Sequence, residues 1–148
     1  MQRRTLICAF GALPLLPALA ASAATPIHVY KTASCECCTG WVEHLSNSGF
    51  AVQITTTEDT AAIRKKAGIP DAFGACHSAT IDGYAIEGHV PAAEIRRLLA
   101  LKPKAIGLAV PSMPPGSPGM EVGERKDPYK VFLIDRQGRD TVFASYPK

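Results

Sequence analysis

The sequence of 148 residues lacks the features that mark several classes of protein. Its formal net charge of only +3 gives no reason to expect nucleic acid or an anionic membrane surface as a partner. It contains no internal repeat, no run of like charges and no low-complexity tract. Its apolar stretch near the N-terminus is shorter than the roughly 20 residues that span a bilayer. The composition is that of one globular domain.

Residues 1–23 are predicted to be a signal peptide. The first four residues include two arginines, residues 5–18 are almost entirely apolar, and residues 20–24 offer small side chains at a cleavage site. Cleavage after Ala23 would leave residues 24–148 as a single domain in the periplasm, with no membrane attachment. The alternative is that the segment stays uncleaved and anchors the protein.

Cysteine is the residue type present in excess. Four of the five cysteines lie outside the predicted signal peptide, and Cys35, Cys37 and Cys38 fall within four positions, with Cys76 further along. Four thiols in an oxidising compartment could form two structural disulfides. Cysteines that are adjacent or one residue apart, however, rarely reach disulfide geometry with each other. The spacing therefore favours a chemical role over a structural one.

The hydrophobic pattern predicts the element order β-α-β-α-β-β-α, an α/β arrangement typical of a thioredoxin-like sheet. The predicted elements are a strand at 27–30, a helix at 39–48, a strand at 51–55, a helix from Thr57 or Asp59 to Ala67, strands at 75–81 and 84–87 joined by Asp82-Gly83, and a helix that starts at Pro91. Residues 102–123, rich in Pro, Gly and Met, are predicted to form an irregular loop, and residues 127–148 a terminal β-hairpin.

This topology predicts which reactive side chains meet. The end of the first strand, the start of the third and the end of the fourth lie at the same edge of such a sheet. At that edge we expect the three clustered thiols together with Cys76, His77 and His89. His28 begins the first strand, and His44 lies two turns along the first helix, so both should point away.

Two kinds of chemistry suit the cysteine cluster. Cys35 and Cys38 form a C-x-x-C pair at a predicted helix N-terminus, where the helix dipole stabilises thiolates. In disulfide exchange Cys35 would be the nucleophile and Cys38 the resolving thiol. A third thiol, Cys37, could exchange with a Cys35–Cys38 disulfide and scramble the pairing. Soft cations that are bridged by thiolates would instead use all of the sulfurs as ligands. The cluster therefore favours Cu(I) or Zn.

Copper is favoured over zinc by crowding and by thioethers. A zinc site normally draws on two separate cysteine pairs, whereas several Cu(I) ions can share bridging sulfurs. Met113 and Met120 add thioethers that Cu(I) prefers, although an isolated methionine more often serves packing. His77 and His89 are open as ligands, and Glu36 is expected to be solvated.

Several ordered motifs run along the chain: residues 35–38 (CECC), 74–79 (GACHSA), 86–92 (IEGHVPA), 107–114 (GLAVPSMP) and 116–121 (GSPGME). Together they resemble exported copper-resistance proteins of the CopG type. The resemblance implies a thioredoxin-like domain that holds a cysteine-bridged copper cluster with a redox role. It also implies Cys35, Cys37, Cys38 and Cys76 as ligands, with His89 and Met113 or Met120 as further contacts. The sequence departs from that family at Glu36 and Ser112, where glycine is usual.

Three functions therefore follow from the sequence. The first is an exported protein that binds Cu(I), with copper ions and other periplasmic copper-handling proteins as its partners. The second is a thiol-disulfide oxidoreductase that uses Cys35 and Cys38 as its catalytic residues. The third is a zinc-stabilised binding module without a redox role.

Overall fold

The computed structural model describes residues 25–121 and 123–147. Its elements in chain order are β1 (Ile27–Lys31), α1 (Glu36–Asn47), β2 (Val52–Thr56), α2 (Thr60–Ala67), a 3₁₀ turn (Asp71–Phe73), β3 (His77–Ile81), β4 (Tyr84–Glu87), α3 (Ala92–Leu101), β5 (Ala105–Ala109), β6 (Tyr129–Asp135) and β7 (Asp140–Tyr146). The predicted signal peptide, 1–23, lies outside the described residues. Within them, no helix is both long and apolar enough to span a bilayer.

The strands form one mixed sheet in the order β2-β1-β3-β4-β5-β6-β7. β1 pairs with β2 and β4 pairs with β5 in parallel, and the other neighbours are antiparallel. Helices α1 and α3 bury their apolar stripes in the main core. The predicted order of the first seven elements is confirmed, so the predicted meeting of three strand ends at one edge holds as well.

The predicted loop at 102–123 is wrong in part. Its residues 105–109 form β5, which lies between β4 and β6 in the sheet. A short strand with neighbours on both sides is nearly all apolar and shows no alternation, and the surrounding prolines and glycines hid it. Gly107 permits the close pairing, because a Cβ there would collide with the Ala85 carbonyl oxygen. The predicted terminal hairpin is present as β6 and β7, and β5 joins it to the sheet.

The predicted helix and turn signals are confirmed where their chemistry is local. The Asp59 carboxylate accepts a hydrogen bond from the Ala62 N–H at 2.9 Å and caps α2, and Gly68 ends that helix with a φ of 83°. Asp82 and Gly83 both have positive φ in the tight turn between β3 and β4. The helix caps and the tight turn therefore fix where α2, β3 and β4 begin or end, and these elements lie next to the candidate site.

Candidate metal centre

The first turn of α1 brings the clustered cysteines to the sheet edge. The helix starts at Glu36, three residues earlier than predicted, so Cys37 and Cys38 lie inside its first turn and Cys35 is its N-cap. Glu36 stands where the family usually has glycine. Because this residue already belongs to the helix, its φ is not positive, and the position does not require glycine's backbone freedom. Cys35 and Cys38 are joined by a disulfide, while Cys37 and Cys76 are free thiols.

Cys76 joins this cluster from the loop before β3. Its Sγ lies 3.6 Å from the Cys37 Sγ and 3.6 Å from the Cys38 Sγ. The Cys37 Sγ is in turn 3.5 Å from the Cys35 Sγ. The four sulfurs meet as the predicted topology requires, although Cys76 is 38 residues from Cys38 along the chain.

Two buried histidines complete the surroundings of Cys76. Its Sγ lies 3.4 Å from the His77 Nδ1 and 3.4 Å from the His89 Nε2. The opposite ring nitrogens donate hydrogen bonds to carbonyl oxygens, His77 to Gly88 at 3.0 Å and His89 to Pro118 at 2.9 Å. Since a neutral imidazole has one N–H, the nitrogens that face Cys76 are unprotonated. Both histidines therefore present lone pairs toward the sulfur, as metal-ligating histidines do.

Burial controls the protonation of these groups. It lowers the pKa of His77 to about 3, and it also lowers the pKa of His89 below the usual histidine value. Both rings are therefore neutral near pH 7. Burial, together with the neighbouring Cys37, raises the pKa of Cys76 to about 12. A bound cation would have to displace that thiol proton, so metal binding at Cys76 releases a proton.

The depressed pKa of His77 makes the stability of the metal-free protein depend on pH. In the unfolded chain His77 accepts a proton near its ordinary pKa of 6.5, whereas in the folded protein it does so only near 3. The unfolded state therefore gains a proton first, and the free energy of unfolding decreases as the pH falls below 6.5. We expect His77 to contribute about 2 kcal/mol less at pH 5 than at pH 7.

Urea unfolding of the wild type and of His77→Gln at both pH values measures this contribution. The difference between the two pH dependences isolates His77, because His89, whose pKa is lowered, and Glu87, whose pKa burial raises, are present in both proteins. Equal pH dependence in the two proteins would contradict the assignment.

The loop that follows β5 covers one side of the cluster. The Met113 Sδ lies 3.9 Å from the Cys37 Sγ, and Met113 remains 46% exposed. Among the described residues, no sulfur hydrogen bond joins Met120 to the cluster, and the Met120 backbone N–H donates to the Ser117 carbonyl oxygen at 2.8 Å. Ser112, one of the two departures, has a φ of 64°, which is where glycine would be unstrained. Of the two predicted thioethers, Met113 is thus the one in contact with the thiols.

A buried carboxylate supports the Cys76 segment and was missed in the sequence. Glu87 is 1% exposed, and its side chain accepts hydrogen bonds from the Ala75 N–H at 2.9 Å and from the Ser78 hydroxyl. Arg64 lies 3.7 Å away. Burial raises the pKa of Glu87 despite these partners. A charged residue in the apolar strand β4 was the signal that could have found it.

Glu87→Ala is expected to lower the free energy of unfolding by about 2 to 4 kcal/mol, because it leaves a backbone donor and Arg64 without their buried partner. Glu87→Gln should lose markedly less, since its amide oxygen can still accept from Ala75. Asp71→Asn is the matched control, as Asp71 is the exposed partner of the same arginine and should matter little. Urea unfolding measures the free energy of unfolding of all three variants, provided that its dependence on urea concentration is the same as in the wild type. Equal losses for the Ala and Gln variants would contradict this role of Glu87.

The other two histidines lie away from the cluster, as predicted. The His28 Nε2 is 2.9 Å from the Thr55 hydroxyl on β2, and the His44 Nε2 accepts the Ala92 N–H at the start of α3. The sequence did not predict the packing of Trp41 against His77, with ring centroids 4.4 Å apart.

Comparison with known proteins shows the family to which the chain belongs. The family model described as "Protein of unknown function, DUF411" matches residues 73–120, which include Cys76, His77, His89 and Met113. No curated protein matches the chain. Two solved structures, titled "Copper resistance protein copG- Form 2" and "Copper resistance protein copG- Form 1", are each 43% identical to it. The first covers 84% of this chain and 100% of its own with a TM-score of 0.81, and the second 85% and 100% with 0.80. The chain belongs to the CopG family of copper resistance proteins.

For this CopG-family chain the aligned regions include the residues of the candidate metal centre. The CopG structures align with most of the chain, whereas the DUF411 match begins after α1 and so omits the three clustered cysteines. The donor groups that meet around Cys76 suit a metal ion, and copper is the metal that the CopG relatives are named for. The clustered thiols and Cys76 are therefore best treated as one site.

Proposed function

We propose that this protein is an exported copper-resistance protein that binds Cu(I) through Cys35, Cys37, Cys38 and Cys76. The proposal rests on one observation: four sulfurs and two unprotonated imidazole nitrogens converge around Cys76. The sulfur separations of 3.5 to 3.6 Å are close to those expected between thiolates that share an ion at about 2.3 Å. Signal-peptide export to the periplasm is part of the proposal.

The donor set supports Cu(I) over harder cations. Thiolates and thioethers are soft ligands, and among the described residues neither ligand group contains a carboxylate. Three thiols within four positions cannot easily surround one ion, so sulfurs that bridge several Cu(I) ions fit the crowding better. We therefore propose a multinuclear, cysteine-bridged cluster, with His89 and Met113 as additional ligands.

A thiol-disulfide oxidoreductase is the second candidate, and the Cys35–Cys38 disulfide favours it. The arrangement of β1, α1, β2, α2, β3, β4 and α3 supports a thioredoxin-like scaffold, which commonly presents such a pair. Reducing the disulfide takes two electrons and two protons from a dithiol, which itself becomes a disulfide. Copper binding by Cys35 and Cys38 requires this reduction first, so the two activities use the same sulfurs in different oxidation states.

Anaerobic titration of the fully reduced protein with Cu(I) tests the copper proposal. We expect more than one tightly bound copper per chain, and less than one would overturn the proposal. Zinc retained in preference to Cu(I) would favour the zinc-binding alternative.

The oxidoreductase proposal is tested by assaying insulin reduction with the metal-free protein. Activity that Cys35→Ser abolishes and Cys37→Ser preserves would support it. Fractionation and the mass of the mature chain test export and cleavage after Ala23.

A further inference from the structure

We infer that Cys76, His77 and His89 form a mononuclear copper site that the protein retains when Cys35 and Cys38 are joined in a disulfide. This inference rests on the proposed function for the choice of copper. It goes beyond that function because it assigns a second, smaller binding mode to the oxidised chain.

The three donors are available whatever the state of the disulfide. Cys76 is a free thiol while Cys35 and Cys38 are bonded to each other, so its sulfur can ligate without any reduction. The ligand atoms of Cys76, His77 and His89 all lie within 4.8 Å of one another. The two sulfur–nitrogen distances of 3.4 Å are close to the spacing of sulfur and nitrogen ligands that share one ion.

The donors are also held in ligating form. The hydrogen bonds from the far ring nitrogens to the Gly88 and Pro118 carbonyl oxygens fix both tautomers and both ring orientations. The His77 ring is packed between Trp41 and His89, with centroids 4.4 and 4.9 Å away. Little side-chain freedom would therefore be lost when an ion binds, which favours binding.

Two further sulfurs lie on one side of this triad. The Cys37 Sγ lies 3.6 Å from the Cys76 Sγ, and the half-exposed Met113 lies 3.9 Å beyond Cys37. Two imidazoles and one thiolate form a donor set that copper sites use. Zinc accepts the same imidazoles and thiolate, so the experiment must separate the two metals.

The two binding modes predict different copper capacities. With four reduced cysteines the chain would hold several Cu(I) ions through bridging sulfurs. With the disulfide present, Cys35 and Cys38 cannot ligate as thiolates, and the triad alone would keep one ion. The capacity of the protein would therefore report the redox state of one cysteine pair.

The test is competition for Cu(I) against bicinchoninate, without reductant and under anaerobic conditions. The protein is the full chain in a Cys8→Ser background, so that thiol counting reports only the cysteines of the cluster. The oxidised form should show two free thiols and bind one Cu(I) per chain. The Cys35→Ser/Cys38→Ser variant should also bind one, and this variant has no disulfide that Cu(I) could reduce during the titration.

Matched histidine variants identify the ligands. His77→Gln and His89→Gln should each weaken Cu(I) binding by the oxidised chain at least about tenfold. His28→Gln is the control and should bind as the wild type does. A parallel titration with Zn(II) gives the second arm of the experiment.

Three results would overturn the inference. In the first, the oxidised chain and the double serine variant both bind Cu(I) no more tightly than Cys76→Ser does. In the second, both of these proteins retain Zn(II) in preference to Cu(I). In the third, His77→Gln and His89→Gln bind Cu(I) as tightly as the wild type does. Failure of the reduced chain to bind more than one Cu(I) would instead reject the proposed cluster, so the two ideas fail separately.

Discussion

Replacing Cys76 with serine is expected to weaken Cu(I) binding by the reduced protein by about 100-fold or more. The Cys76 Sγ contacts both parts of the site, the other thiols and the two histidines. It lies within 3.6 Å of the Cys37 and Cys38 sulfurs and 3.4 Å from the unprotonated ring nitrogens of His77 and His89. A serine hydroxyl is a hard donor and cannot bridge soft cations as a thiolate does.

Cys37→Ser is the matched comparison for this prediction. Cys37 contacts Cys35, Cys76 and Met113 but neither histidine, so its loss should lower the copper capacity and leave one ion at the triad. Serine and cysteine are similar in size, and Cys37 and Cys76 are both partly exposed residues, so the melting temperatures should change little. Copper binding that survives in Cys76→Ser and fails in Cys37→Ser would contradict the central position of Cys76.

The sequence was sufficient for the thiols and for the strand order that brings them together. Three cysteines directly after β1 had to lie at one end of that strand. The strong turn at Asp82-Gly83 required β3 and β4 to run antiparallel, which returned Cys76 and His89 to the same end. The turn chemistry, together with the likeness of the element order to a thioredoxin-like sheet, therefore predicted that groups 38 residues apart in sequence lie at the same end of the sheet.

What the sequence could not supply depends on tertiary environment. His77 was left open because a single histidine beside a cysteine carries no information about its tautomer, and the tautomer is set by the distant Gly88 carbonyl. β5 was missed because its pairing depends on Gly107 fitting against Ala85. Local backbone preference also could not tell that, of the two departures from the family pattern, Ser112 has a positive φ and Glu36 does not.

The oxidation state of one cysteine pair connects the two candidate activities. Cys35 and Cys38 can be a disulfide or copper ligands, but they cannot be both at once. An activity that needs free Cys35 and Cys38 thiols should therefore be inhibited by bound Cu(I). A structural disulfide that resists reduction would instead leave the copper capacity of the protein unchanged after treatment with a reductant. Measuring both quantities on one preparation separates a redox-active site from a static one.

Gly119→Ala is expected to destabilise the protein by about 2 kcal/mol or more, from left-handed strain together with a steric clash. Gly119 has a φ of 82°, and a Cβ there would lie against the Trp41 backbone nitrogen and 2.8 Å from the Cys37 carbonyl oxygen. The loop can accept the added atom only by moving away from α1. That movement would shift the neighbouring Pro118 carbonyl oxygen, which orients His89, and Cu(I) affinity should fall about tenfold or more.

Gly83→Ala is a closely matched control for Gly119→Ala. Gly83 has a φ of 80°, almost the same backbone conformation, but a Cβ there would meet nothing within 4 Å. It should cost about 1 kcal/mol from backbone strain alone and leave copper binding unchanged. Urea unfolding gives the stability of each variant, and Cu(I) competition gives its affinity. If the two alanine variants bind copper equally well, the contact between this loop and the first turn of α1 does not position the site, and His89 must be held by other contacts.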